Sequence, residues 1–308
     1  MTKNVKKSCA VIGDGVAANT FIFYLLEKSK DIEVTQFFEE SFFPKSSTKS
    51  TAIVANRNIA MGVSEYGDLL YKSFIELNHF YSKYSEHFID SIEIVTHKTF
   101  GNGVDFHRKF PEAKKSPYGF EFSEDAFLFY PSEFLAKLRE FNYIKRESLI
   151  ISSYDQLAKY DFIVDCSGHY MKFLNTSGDS KTTSGAYLRT NFNFDHSFSI
   201  SMHHCNLIYR KKYQELIIGS STGDAIMSKK DFNHLRGCFK TLTDYKLVLP
   251  EFHEFELIRS FRHKMRKRLP VWRELSDNRF INGGYYKNGY QFSFLAAKEL
   301  SEMIKEKL

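Results

Sequence analysis

Apolar positions along this 308-residue chain change period twice within the first forty residues. Cys9-Ala10-Val11-Ile12 is an unbroken apolar run of the kind that forms a buried strand, and Gly13-Asp14-Gly15 breaks it. From Ala17 to Leu26 apolar residues recur at helical spacing, and after the polar Lys28-Ser29-Lys30-Asp31 a second apolar stretch spans Ile32 to Phe38. Strand, glycine turn, helix and strand make a βαβ half-unit, which right-handed crossover closes into two neighbouring parallel strands.

Beyond a Ser/Thr/Lys-rich loop from Pro44 to Thr51, the spacing of Leu69, Leu70, Phe74, Ile75, Leu77 and Phe80 predicts a helix from Tyr66 to Phe88. Residues 90 to 130 read as strands and loops, with turns at Gly101-Asn102-Gly103 and Ser116-Pro117-Tyr118-Gly119. A helix follows from Pro131 to Phe141, with Pro at a first helical position. Ser148–Ser152 and Asp161–Cys166 read as strands, residues 186–220 as antiparallel strands, and 229–244 as a helix. A C-terminal helix spans Leu295–Ile304 after Gly283-Gly284 and Gly289. No repeat or low-complexity tract divides the chain. With 6 Pro and 16 Gly there is no flexible linker, so a second domain is expected as an insertion in the first.

Composition narrows the class. Apolar residues at 43% and charged residues at 26% argue for a packed core and against disorder. No run approaches the ~18 uncharged apolar residues of a membrane span, and the start runs straight into a strand-like segment, so a cytoplasmic protein without a membrane partner is expected. Cys9, Cys166, Cys205 and Cys238 form no CxxC pair, which speaks against a zinc site or a disulfide framework; reduced thiols and no metal are expected. The net charge of +6 permits an anionic partner without requiring one. The surplus is aromatic, 31 Phe and 18 Tyr against one Trp. Most must fill core volume, and a flat aromatic cofactor is compatible with the rest.

Gly13-Asp14-Gly15-Val16-Ala17-Ala18 fits GxGxxA directly after a strand and at the opening of a helix. The first glycine permits the turn and the second lets a pyrophosphate approach the backbone. The small residue at Ala18 lets helix and strand pack, while the helix N-terminus faces the phosphate charge. The alternative is an ordinary tight βα turn. The acid expected at the end of the second strand for ribose hydroxyls is assigned to Glu39.

Further segments recur in order. They are Ser46-Ser47-Thr48-Lys49-Ser50-Thr51-Ala52, Phe129 to Leu135, Tyr160 to His169 around Ser167-Gly168, Ser184 to Tyr187, Ile218 to Thr222, and Gly284-Tyr285-Tyr286-Lys287-Asn288-Gly289. With the glycine turn they resemble the D-amino-acid-oxidase-type FAD oxidoreductases over almost the full chain. The nearest branches are the glycine and sarcosine oxidases and the FAD domain that oxidises carboxymethylaminomethyl-uridine in tRNA. The resemblance implies FAD as cofactor, held at Gly13, Gly15, Val16, Ala17, Ala18, Glu39, Ser47, Thr48, Lys49, Thr51, Ala52, Ser167, Gly168, Gly284, Tyr286, Lys287, Asn288 and Gly289. It also implies oxidation of a C–N bond by hydride transfer to flavin.

Ser260 to Pro270 is similar to the family's GxRxxTxDxxP segment, which makes Arg262 the fork that would hold a substrate carboxylate. Lys287, where the glycine-oxidase loop carries an arginine, would add a second charge near substrate or flavin, the alternative being a plain loop lysine. Ser260, Met265 and Lys267 depart from the family's Gly, Thr and Asp. The six basic residues from Arg259 to Arg268 read as a solvated face or edge strand, or alternatively as a strip contacting phosphates. His169 reads as a capping or packed residue.

The expected fold class is α/β: a Rossmann-like FAD/NAD(P)-binding domain with an inserted, mostly antiparallel substrate domain. The former is expected from residues 1–60, 131–185 and 251–308, the latter from 61–130 and 186–250. The expected function is an FAD-dependent oxidoreductase of the amine/amino-acid oxidase type acting on a small-molecule amine or amino-acid substrate. The alternatives are a tRNA wobble-uridine-modifying oxidoreductase, with tRNA as partner, and a flavin-binding protein without oxidase activity.

Overall fold

A computed structural model describes residues 6–40, 46–56, 62, 64–170, 180–203, 205–221, 223, 229–265 and 267–308. In chain order the first elements are β1 (Lys7–Ile12), α1 (Val16–Lys28), β2 (Ile32–Phe38), β3 (Ile53–Ala55), α2 (Glu65–Phe88), β4 (Ile92–Gly101) and α3 (Val104–Lys109). Then come β5 (Lys114–Ser116), β6 (Gly119–Phe129), α4 (Pro131–Phe141), β7 (Lys145–Ser148), β8 (Phe162–Asp165) and β9 (Ser180–Asn191). The chain ends with β10 (Phe198–Met202), β11 (Cys205–Arg210), β12 (Glu215–Gly219), α5 (Lys229–Asp244), β13 (Glu256–Met265), β14 (Val271–Ser276), β15 (Arg279–Gly283) and α6 (Gly289–Lys305).

Two sheets divide the strands. A six-stranded sheet runs β14-β15-β8-β1-β2-β7, parallel except for β14. Its helical cover explains much of the aromatic surplus. Phe21 and Leu25 of α1, Phe80 and Phe88 of α2, Phe134 of α4 and Phe294 of α6 share one core with Val11 and Val164 of the strands. The ring of Phe80 meets those of Phe88, Phe134 and Phe294 at centroid distances of 5.0, 6.3 and 4.8 Å. Burying such rings contributes about 1.5–3 kcal/mol each.

The second sheet runs β13-β9-β12-β11-β10-β4-β6-β3, with β5 on β6, and is antiparallel except between β10 and β4. Helix α5 covers one face, laying Leu235, Cys238 and Leu242 on Met202, Leu207 and Leu216. This is the expected α/β class with an antiparallel second sheet.

The elements differ from expectation at four places. The strand expected at Ser148–Ser152 is instead β7, whose polar Lys145–Ser148 pair with Thr35–Phe38 at the sheet edge. Edge strands carry charge, so the apolar Leu149-Ile150-Ile151 misplaced the boundary. A short helix, α3, follows the turn at 101–103. The last helix starts at Gly289, its glycine hiding the first turn. Ile53 pairs with Leu128 and Arg262 with Thr183, so β3 and β13, expected within the cofactor domain's ranges, belong to the nine-stranded sheet.

The four cysteines are buried free thiols, and burial raises the pKa values of Cys9 and Cys166. Among the described residues no cluster of three His, Cys, Asp or Glu could hold a metal, and no helix is long and apolar enough to cross a membrane.

Candidate functional site

The carboxyl ends of β8, β1 and β2 meet where the chain's strand order reverses, the position at which open α/β sheets bind ligands. Gly13 makes the turn with φ +118°, and a Cβ there would lie 2.5 Å from the Cys166 carbonyl oxygen. Its N–H donates to Phe37 O at 2.8 Å, seating the turn between β1 and β2. Helix α1 begins at Val16 with no acidic residue in its first turn and no side-chain cap from Gly15. Ser47 reaches over from the 46–52 loop instead: its Oγ accepts from the Val16 N–H at 3.0 Å. With one N–H held by a neutral hydroxyl and no carboxylate in the first turn, the positive end of α1 keeps its attraction for an anion.

A cleft of about 310 Å³ runs from this helix end in both directions. One end is walled by Phe38, Glu39, Leu149 and Ile150, an apolar slot with a carboxylate at the end of β2. The middle is formed by Ser46–Thr51, by Cys166–His169 and by Gly283–Lys287. The far end is closed by Tyr187 and Ser220 and by Ser260 to His263 of β13.

Of the residues singled out in the sequence, Gly13, Gly15, Val16, Ala17, Glu39, Ser47, Thr48, Lys49, Thr51, Ser167, Gly168, Arg262, Gly284, Tyr286, Lys287 and Gly289 line this one cleft. Three do not. Ala18 is fully buried in the helical core, and Ala52 is buried behind the loop with φ +45°. Asn288 is the N-cap of α6, and its Nδ2 donates to Tyr66 Oη at 2.5 Å. All three shape the walls without forming them.

The far end of the cleft is electropositive. The Arg262 guanidinium donates to Ser221 O at 2.8 Å and Ser220 Oγ at 3.1 Å. It lies flat on Gly185, where a Cβ would stand 2.5 Å from Arg262 Cζ. Burial lowers its pKa, opposed by Tyr286 and Asp231. Lys287 sits over the Tyr286 ring at 5.6 Å, and burial together with Arg262, Arg268 and Lys264 pushes its amine down to about 8. The basic run therefore splits. Arg262 and Lys264 are half-buried, Arg259, Lys267 and Arg268 are exposed, and Arg266 lies outside the described residues.

His263, on the opposite face of β13 from Arg262, accepts from the Gly284 N–H through Nδ1 at 3.0 Å. That bond places its proton on Nε2, which is buried and has no partner among the described residues. Burial pushes His263 down to about 4, and burial with His263 nearby does the same to His169. The Ser46 hydroxyl lies 3.3 Å from His169 Nδ1, so this residue ties the loop to the glycine turn after β8 rather than merely filling space.

Sequence reading missed an ionic cluster around the glycine turn. Asp14 Oδ1 accepts from Arg139 Nε at 3.0 Å and Arg146 Nη2 at 2.7 Å, and Arg146 Nε donates to Gln36 Oε1 at 2.9 Å. These partners come from α4 and β7, over a hundred positions downstream. The only local signal was an acid between two glycines.

No protein-family model and no curated protein sequence matches the chain. Solved structures do. Glycine oxidase from Bacillus cereus ATCC 14579 superposes with a TM-score of 0.73 at 12% identity, covering 98% of this chain and 96% of that one. L-proline dehydrogenase from P. horikoshii gives 0.73 at 13% identity, covering 98% and 94%. Glycerol-3-phosphate dehydrogenase from Bacillus halodurans, complexed with FAD, gives 0.57 at 13% identity, covering 98% and 64%. The chain has the fold of the D-amino-acid-oxidase-type FAD oxidoreductases.

Proposed function

We propose that this chain is an FAD-dependent oxidoreductase that oxidises the carbon–nitrogen bond of a small amine or amino-acid substrate bearing a carboxylate. The carrying observation is that one cleft joins a helix N-terminus with no acid in its first turn to a half-buried arginine and an exposed lysine at its rim. The residues fit the cofactor. Gly15 presents no side chain of its own at the start of α1, where only the Ser47 hydroxyl stands, Glu39 offers a carboxylate to a ribose, and Leu149 and Ile150 offer apolar faces to an adenine. Gly168, Gly284, Tyr286 and Gly289 line the stretch where an isoalloxazine would lie, and His263 adds a buried Nε2 donor in need of an acceptor.

Bound FAD would supply the sink for the electron pair. The chain's own contribution is electrostatic and positional. Arg262, locked by Ser220, Ser221 and Gly185, presents a planar cation suited to a carboxylate. Lys287 adds a nearby positive charge, and two cations beside a substrate amine disfavour its ammonium form, leaving the lone pair that C–N oxidation requires. Purified protein mixed without oxygen with a panel of small amino acids should lose its flavin absorption with at least one. Unchanged absorption across the panel contradicts the assignment.

A flavin-binding protein without turnover is the second reading. It is favoured by Met265 and Lys267, which stand where the family's segment carries Thr and Asp. The same panel separates the two. The comparisons lend the tRNA reading no support.

A further inference from the structure

Arg210 closes β11, is 3% exposed and lies outside the cofactor cleft. Its Nη1 donates to Glu215 Oε2 at 2.8 Å across the β11–β12 hairpin. Its Nη2 leaves the sheet and donates to the carbonyls of Ser50 at 3.2 Å and Thr51 at 2.6 Å. Behind it stands a cross-strand ladder: Glu215 also meets Arg189 of β9 at 3.4 Å, and Arg189 pairs with Glu256 of β13.

The loop it grips has cavity on both sides. Thr48 and Lys49 line the cleft described above and also a second, polar cavity of about 870 Å³ that Arg189, Arg210 and Glu215 border. Residues 46–51 are only half-buried, whereas Ala52 at the end of the loop is packed in the core. Its described ties are the Arg210 bonds, the Phe129 N–H on Ala52 O at 2.9 Å, the Tyr290 hydroxyl on Ser47 O at 3.0 Å, the Ser47 hydroxyl on Val16, and His169 beside Ser46.

We propose that Arg210 is a positioning residue: it clamps the 46–52 loop to the nine-stranded sheet and so holds Ser47 and Thr48 in the geometry that receives the cofactor. The inference rests on the FAD reading for its consequence, but not for its structural content. Two charge-assisted bonds to carbonyls that accept from no other described residue explain why a buried charge is kept here, since an ion pair with Glu215 alone would add little over an apolar pair.

The test compares wild type with Arg210→Met/Glu215→Gln, which removes the clamp without orphaning a buried carboxylate, and with Arg210→Lys, which keeps the charge but not the fork. In cofactor-free protein, backbone amide exchange at residues 47–51 should accelerate roughly 10- to 100-fold in the double variant, with exchange in β11 and β12 unchanged. The FAD dissociation constant should rise by a similar factor. Arg210→Lys should restore the melting temperature while leaving the loop under-protected, and it carries the test alone if the double variant does not fold. Wild-type exchange rates at 47–51 in Arg210→Lys, or acceleration spread evenly over the chain, overturn the clamp. If wild type takes up no FAD, the proposed function falls, while the exchange comparison still decides the clamp.

Discussion

Adding one methyl group at Gly185 tests the substrate end of the cleft without touching a charge. In Gly185→Ala the new Cβ would stand 2.5 Å from Arg262 Cζ, 2.7 Å from Nε and 2.8 Å from Nη2. Carbon atoms rest at about 3.5–4.0 Å, so the guanidinium must withdraw by about 1 Å. That stretches its bonds to Ser221 O, now 2.8 Å, and Ser220 Oγ, now 3.1 Å, beyond hydrogen-bonding range. Because the displaced group is the end of a flexible side chain, the fold should tolerate the change, with the melting temperature and FAD content close to wild type. Function should not tolerate it. A misplaced charge-assisted pair costs about 2–4 kcal/mol, a fall of roughly 30- to 1000-fold in kcat/KM for a carboxylate-bearing substrate. The assay is steady-state oxidation of the best amino acid found, beside the same amine lacking its carboxylate, which should be almost unaffected. If Gly185→Ala leaves kcat/KM for the carboxylate substrate unchanged, Arg262 does not hold that group.

Three further outcomes are expected. Gly15→Val should yield a folded but colourless protein, because its side chain meets Ser47 where a pyrophosphate must approach, as absorbance of the purified variant would report. With Lys287 pushed down to about 8, activity that uses its positive charge should fall above that pH; in Lys287→Met this limb should vanish from the pH profile, and its persistence would remove the residue from the site. His263, held neutral down to about 4, resists protonation in the folded chain while the unfolded chain takes up a proton from about pH 6.5. Stability is therefore full above that pH and declines by about 3 kcal/mol as pH falls to 4; melting curves of His263→Gln should show a shallower acid decline, and an equal slope would contradict this.

Legibility of the sequence followed the locality of the signal. The βαβ start was readable because strand, glycine turn and helix are contiguous, and β2 and α4 fall at the expected bounds. Glu39, Arg262 and Lys287 were found through short motifs and do converge on one cleft, although only the fold brings them there. What could not be read depends on long-range pairing. The exchange of β3 and β13 into the large sheet is decided by ladders with β6 and β9. Asp14 with Arg139 and Arg146, and Arg210 with the 46–52 loop, join residues more than a hundred positions apart, so no local pattern marks them. The polar Lys145–Ser148 edge lacked the apolar alternation that reveals a half-buried strand.

The central claim is that the glycine turn, the 46–52 loop and the 283–289 segment together hold FAD. The absorption spectrum of the purified protein, followed by denaturation and identification of whatever is released, tests it most directly. The account predicts a yellow protein that releases FAD in about one equivalent per chain, or an apoprotein that takes up FAD with the same stoichiometry. A colourless protein that gains no flavin absorption on titration with FAD would contradict it.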